Sequence, residues 1–146
     1  MKRLSILCIA MLAVLAFAIP AGARGGRMFI SQMTGAQEVP PADPDGSGTA
    51  TFTVNPGQGR ICFEITSEGI DLPIVAAHIH PGWPGVVGPP LVFLLHDGEA
   101  DADGNFSGCM PVDRAVAKDI LKHPWAYYVN LHNATFPAGA IRGQLA

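Results

Sequence analysis

The chain has 146 residues and five histidines, and two of those histidines stand one residue apart in AAHIHPGWPGVVGPP, Ala76 to Pro90, as His78 and His80. On an extended strand, residues i and i+2 face the same way with Cβ atoms roughly 6–7 Å apart. Both imidazoles can then reach one ion at about 2.0–2.1 Å. A third imidazole from an adjacent strand would complete a three-nitrogen set suited to copper or zinc, with one position open to water or substrate. His132 can supply it if its strand lies alongside. The same spacing also fits two half-exposed histidines bonded to loop carbonyls, and spacing alone leaves both readings open. His96, at the end of the apolar run LVFLL, is a possible additional ligand, while His123, just before Pro124, is placed to meet the last carbonyls of a helix.

These side chains need a frame, and the pattern around them is that of short strands. Runs rich in Val, Ile, Thr and Phe alternate with Gly, Pro, Asp and Asn clusters. The pattern predicts strands over Met28–Thr34, Gly48–Asn55, Arg60–Thr66, Ile74–His80, Leu91–His96, Asn105–Cys109, Ala126–His132 and Ala140–Leu145. Helical spacing occurs in VDRAVAKDILKHP, with Val116, Ile120 and Leu121 on one side and Pro124 as the stop. Together these predict an all-β fold: an antiparallel Greek-key sandwich or barrel of the immunoglobulin-like kind, with one short helix.

Period-two alternation assigns the faces. Ala50, Phe52 and Val54 share a core side, as do Ile61, Phe63 and Ile65. Val75, Ala77 and Ile79 should point inward, leaving Ala76, His78 and His80 outside. Tyr127, Val129 and Leu131 should point inward, leaving Tyr128, Asn130 and His132 outside. Arg142 and Gln144 should also face away from the core. If the strands are neighbours, the outer residues form one polar patch. Asn130 and Gln144 could then orient the ligands from behind.

Other chemistry finds little support. Glu99, Asp101, Asp103 and Gly104 mimic the first half of a calcium loop, but Met110 stands where its distal glutamate should be, so a hairpin connection is expected. Asn133-Ala134-Thr135 fits the N-glycosylation pattern. There is no G-x-S-x-G and no phosphate-cradling glycine loop leading into a helix, so an enzyme here would be a metal enzyme.

Lys2 and Arg3, the apolar Leu4–Ile19 and the small-residue site Ala21-Gly22-Ala23 read as a signal peptide over residues 1–23. A single domain over 24–146 follows, secreted or periplasmic. The apolar run, about 16 residues, is short of the ~20 that a spanning helix needs, so no membrane span is expected after cleavage. The formal charge of −3 becomes about −5 without the leader, which excludes a nucleic-acid partner. Of three cysteines Cys8 leaves with the leader, and in an oxidising compartment Cys62 and Cys109 are expected to pair.

The segments TGAQEVPP (Thr34–Pro41), AAHIHPGWPGVVGPPLVFLL (Ala76–Leu95), DGNFSG (Asp103–Gly108) and YYVNLHNATFPAGAIRGQL (Tyr127–Leu145) resemble, in order, the hallmarks of the CHRD (chordin-type) domain family. The resemblance covers nearly all of the chain after the leader. It implies an extracytoplasmic β-sandwich, found alone in bacteria and as repeated modules in chordin, without implying an activity. A weaker similarity is to copper/zinc superoxide dismutase. It matches His78 and His80 to a copper-binding H-x-H pair, His132 to a later copper histidine, and Arg142 to an arginine that attracts an anionic substrate. The dismutase site takes six histidines and an aspartate, so five histidines leave its zinc subsite without a full set of counterparts.

Two functions follow as expectations. One is a mononuclear copper (or zinc) site on the outer face at His78, His80 and His132, handling small oxygen species or electrons. The other is a non-catalytic extracellular module that binds a protein or matrix through the loop carrying Trp83.

Overall fold

Alternating apolar residues, many of them β-branched or aromatic, favour extended segments with one buried face. The computed structural model describes residues 26–96 and 100–146, with the side chain of His96 outside the described residues. The expected leader over 1–23 and Glu99 of the acidic loop also lie outside them. The strands are β1 (Arg27–Thr34), β2 (Ser47–Asn55), β3 (Arg60–Glu68), β4 (Ile74–Pro81), β5 (Val92–His96), β6 (Phe106–Pro111), β7 (Tyr127–Asn133) and β8 (Ile141–Gln144), with one helix, α1 (Arg114–Lys122). They form one antiparallel sheet in the order β5-β4-β7-β8-β1-β2-β3-β6. The outermost strands β5 and β6 touch, so the sheet curls into a nearly closed barrel and its edges shelter each other. The chain crosses the barrel from β3 to β4 and from β6 to β7, which are the Greek-key connections.

The expected core faces hold on β2 and β3, where Ala50, Phe52, Val54, Ile61, Phe63 and Ile65 are buried. Strand β4 departs from expectation at one residue. Val75 was expected to face inward, but it is 44% exposed and Ile74 takes the inner place. The register against β7 shifts between Ile74 and Ala76, so Val75 is the extra residue of a bulge and the alternation restarts after it. Ala77 and Ile79 then point inward as expected.

Asp113 caps α1 by accepting from the N–H groups of Ala115 at 2.7 Å and Val116 at 3.3 Å. Ala117 and Ile120 are the helix's buried residues, with Val116 and Leu121 packed beside them. Pro124 ends the helix and opens a 3-10 turn, Pro124–Ala126. His123 meets the Asp119 carboxylate at 3.1 Å rather than the helix's last carbonyls, because the carboxylate one turn back offers a charged acceptor. Cys62 and Cys109 are register partners on β3 and β6 and form a disulfide.

Candidate metal centre

Strands β4, β7 and β8 are neighbours, and their register sets the outward side chains in rows. His80 stands opposite Tyr128, which stands opposite Gln144. His78 stands opposite Asn130, which stands opposite Arg142. Ala76 stands opposite His132. The polar patch expected from alternation is therefore a three-strand grid.

The grid is not open to solvent as an outer face would be. The segment 82–91 folds back across it and is held by main-chain and side-chain bonds. Gly82 N donates to Ala126 O at 2.7 Å, Leu91 N to Ile79 O at 2.8 Å, and Gly88 N to Tyr128 Oη at 3.2 Å. A Cβ on Gly88 would lie 1.7 Å from Pro81 O, so only glycine allows this close return. Tyr128, Asn130, Arg142 and Gln144 are buried as a result, and His80 is only 5% exposed. His78 and His132 remain half-buried.

One ring nitrogen from each of His78, His80 and His132 lies within 4.8 Å of the others. Three nitrogens bound to one ion at about 2.1 Å would stand about 3.5 Å apart, so small ring rotations suffice to close the set. His80 Nδ1 lies 2.9 Å from Gly88 O, and His132 Nδ1 lies 3.1 Å from Pro137 O. A carbonyl can only accept, so both imidazoles carry their proton on Nδ1 and turn a bare Nε2 inward. Those two Nε2 atoms lie 2.9 and 3.1 Å from the same oxygen, Asn130 Oδ1. Lone pairs thus face an oxygen, an electron-rich arrangement that a cation among them relieves. His132 Nε2 also lies 3.2 Å from His78 Nδ1, where the His78 proton can sit until an ion replaces it. Loop carbonyls and a shared nitrogen cluster, two alternatives on spacing alone, occur together.

The surroundings favour the neutral form of His80 and His132, the form that binds metal. Burial holds both His80 and His132 below the ordinary histidine range. Hydrogen bonds to the carbonyls oppose the shift in part, and for His132 the neighbouring His80 adds to it. His80 stacks flat on Tyr128, with ring centroids 4.8 Å apart and planes 3° apart. Phe93 meets His78 edge-on at 4.8 Å.

The other expected residues take different places. Asn130 Oδ1 lies beside two of the histidines, between His80 Nε2 and His132 Nε2. Gln144 touches none of them; its amide donates to Gly82 O, Trp125 O and Tyr127 O and ties the covering segment down. Arg142 was expected to draw an anion from solvent, but its guanidinium is buried with the residue 1% exposed. It donates to Trp83 O at 3.0 Å and Gln144 Oε1 at 3.1 Å, and lies 3.4 Å from the centre of the Tyr128 ring, so its charge serves the interior. Trp83 itself is 58% exposed on the covering segment, as expected. Asn133 is no glycosylation acceptor: its buried amide donates to Asp71 O and accepts from Phe136 N.

Tyr128 shares this face with Asn130 and His132 by alternation, which was the one signal in the sequence for its part in the site. Glu38, which is buried beside Asn130, had no such signal, because it lies far off in the chain within a loop.

A family model described as CHRD domain matches residues 29–145. No curated protein and no solved structure matches the chain.

Proposed function

The chain belongs to the CHRD domain family, and on that premise we propose that it is an exported domain holding one copper ion, or alternatively zinc, on His78, His80 and His132. The observation carrying this reading is that two imidazoles with Nδ1 tied to main-chain carbonyls converge through Nε2 on one spot beside a third. Metal-binding histidines are characteristically fixed in this way. A leader-like start and a disulfide support export. Copper bound there would supply one-electron exchange with a small oxygen species or a partner. The chain's own residues supply three imidazole nitrogens, and Gly88 O and Pro137 O hold two of the rings in place.

The test is the metal content of the domain purified from an exported fraction without chelating tags, followed by EPR after one equivalent of Cu(II). Stoichiometric copper with nitrogen hyperfine structure is expected, and it should disappear in His78→Ala, His80→Ala and His132→Ala while the fold persists. Weak binding that ignores these substitutions would sink the metal reading.

A second reading has its own observation. Trp83, Val86 and Val87 stand exposed on one segment, with Phe93 exposed on the neighbouring strand, as on a protein- or matrix-binding surface. In this reading the histidines only anchor the segment.

A further inference from the structure

Glu38 follows the 3-10 turn Gly35–Gln37 and is 8% exposed, and its Oε1 is buried with no hydrogen-bond partner. A buried acceptor left unsatisfied is costly and calls for a reason. Burial pushes the Glu38 carboxyl above the ordinary carboxylate range, and the donor end of the Asn130 amide, with Arg142 after it, opposes that shift by favouring the charged form. The carboxyl and the amide meet over Gly139, which has φ +138°. A Cβ there would lie 2.3 Å from Glu38 Oε1 and 2.9 Å from Asn130 Nδ2, so no side chain can separate them.

A primary amide has one accepting and one donating end, and a carboxylate only accepts. With Nδ2 drawn toward Glu38, Oδ1 must point the other way, where His80 Nε2 and His132 Nε2 lie 2.9 and 3.1 Å from it. If the amide were reversed, Nδ2 would donate to those nitrogens and cap the lone pairs that an ion needs.

We propose that Glu38 is a positioning residue that fixes the Asn130 amide with its oxygen toward the histidine pair and so keeps the amide's donor end away from both Nε2 atoms. The inference rests on the reading of His78, His80 and His132 as a metal site, and it extends that site to a carboxylate with which the histidines share no contact. Replacing Glu38 by an apolar residue releases the amide, which then serves the metal-free protein and opposes the ion.

The experiment uses the 15N-labelled chain without metal. It reads the ring nitrogens of His80 and His132 and the Asn130 amide by NMR, then titrates with zinc, which is diamagnetic. In Glu38→Leu the two Nε2 signals should shift as the Asn130 amide begins to donate to them, and zinc affinity should fall about tenfold or more. Glu38→Gln, which keeps an acceptor oxygen, should restore both. Should the leucine variant fail to fold, Glu38→Met, closer in length, is read in the same way. Unchanged nitrogen shifts and parental zinc affinity in the folded apolar variant overturn the proposal. A parent that binds no zinc, with nitrogen shifts that still follow Glu38, overturns the metal reading and leaves the positioning role standing.

Discussion

Strands β2 and β3 and strands β7 and β8 belong to one sheet and alternate in the same way, yet they end in different surroundings. On β3 every second residue is buried and those between are partly or fully exposed. On β8 all four residues are buried, and on β7 six of seven are. The difference is the segment 82–91, which covers the outer face of β4, β7 and β8. Alternation fixes which side a residue faces, and a loop decides whether that side is wet. Once covered, each polar group on β7 and β8 must find an internal partner. Arg142 and Gln144 each do. One half of the barrel therefore has an ordinary solvated face, while the other has a second, polar interior that can hold side chains in one geometry.

The disulfide gives the largest test of that division. Cys62 and Cys109 close a sequence separation of 47 on the solvated half. Replacing both by alanine should cost about 4 kcal/mol by loop entropy. Chemical denaturation measures the loss, and a copper titration of the still-folded protein should match the parent. Weakened copper binding would mean that the two halves are not independent. Next comes Arg142→Ala, which removes a stacked cation, takes one of two donors from Trp83 O, where Val86 N remains, and takes the Arg142 donor from Gln144 Oε1. A cost of about 3 kcal/mol is expected. Glu64→Ala, on the exposed side of β3, should stay within about 0.5 kcal/mol. Equal costs would erase the contrast between the halves.

The sequence carried the strands, the core of β2 and β3, the cysteine pair and the convergence of His78, His80 and His132, because each depends on local period or on residue type. It misplaced Val75, since a bulge inserts one residue without any mark in composition. It read the patch as exposed and Arg142 as an anion attractor, since nothing local in PGWPGVVGPP says that the segment folds back over the sheet. Glu38 was out of reach for a related reason. Its meeting with Asn130 depends on two loops coming together, which neither loop's own residues specify.

A smaller effect should appear with pH in the metal-free protein. Burial lowers the affinity of His80 and His132 for a proton below that of the unfolded chain. Above the ordinary histidine range neither state binds the proton, and this contribution is fully present. As pH falls below about 6.5 the unfolded state takes up protons first, and stability declines until the lowered folded values are passed. Thermal unfolding between pH 8 and 5 should show this decline, reduced in His80→Ala. A curve for the parent that overlays the variant's would remove the buried histidines as its cause.

The smallest effect belongs to the residue that looks most conspicuous in the sequence. Trp83 gives its main-chain carbonyl to Arg142, while its side chain is largely in solvent. Trp83→Ala keeps the carbonyl, so stability should change by no more than about 0.5 kcal/mol, and copper binding should not change. Denaturation and copper titration of the variant check both. A larger loss would show that the indole helps to press the segment onto the sheet, and the polar interior would then depend on an exposed side chain. With both unchanged, the variant separates the two readings of function cleanly. Any loss of binding to an extracellular protein or matrix would then belong to the indole surface alone, with the histidine cluster beneath it left as it was.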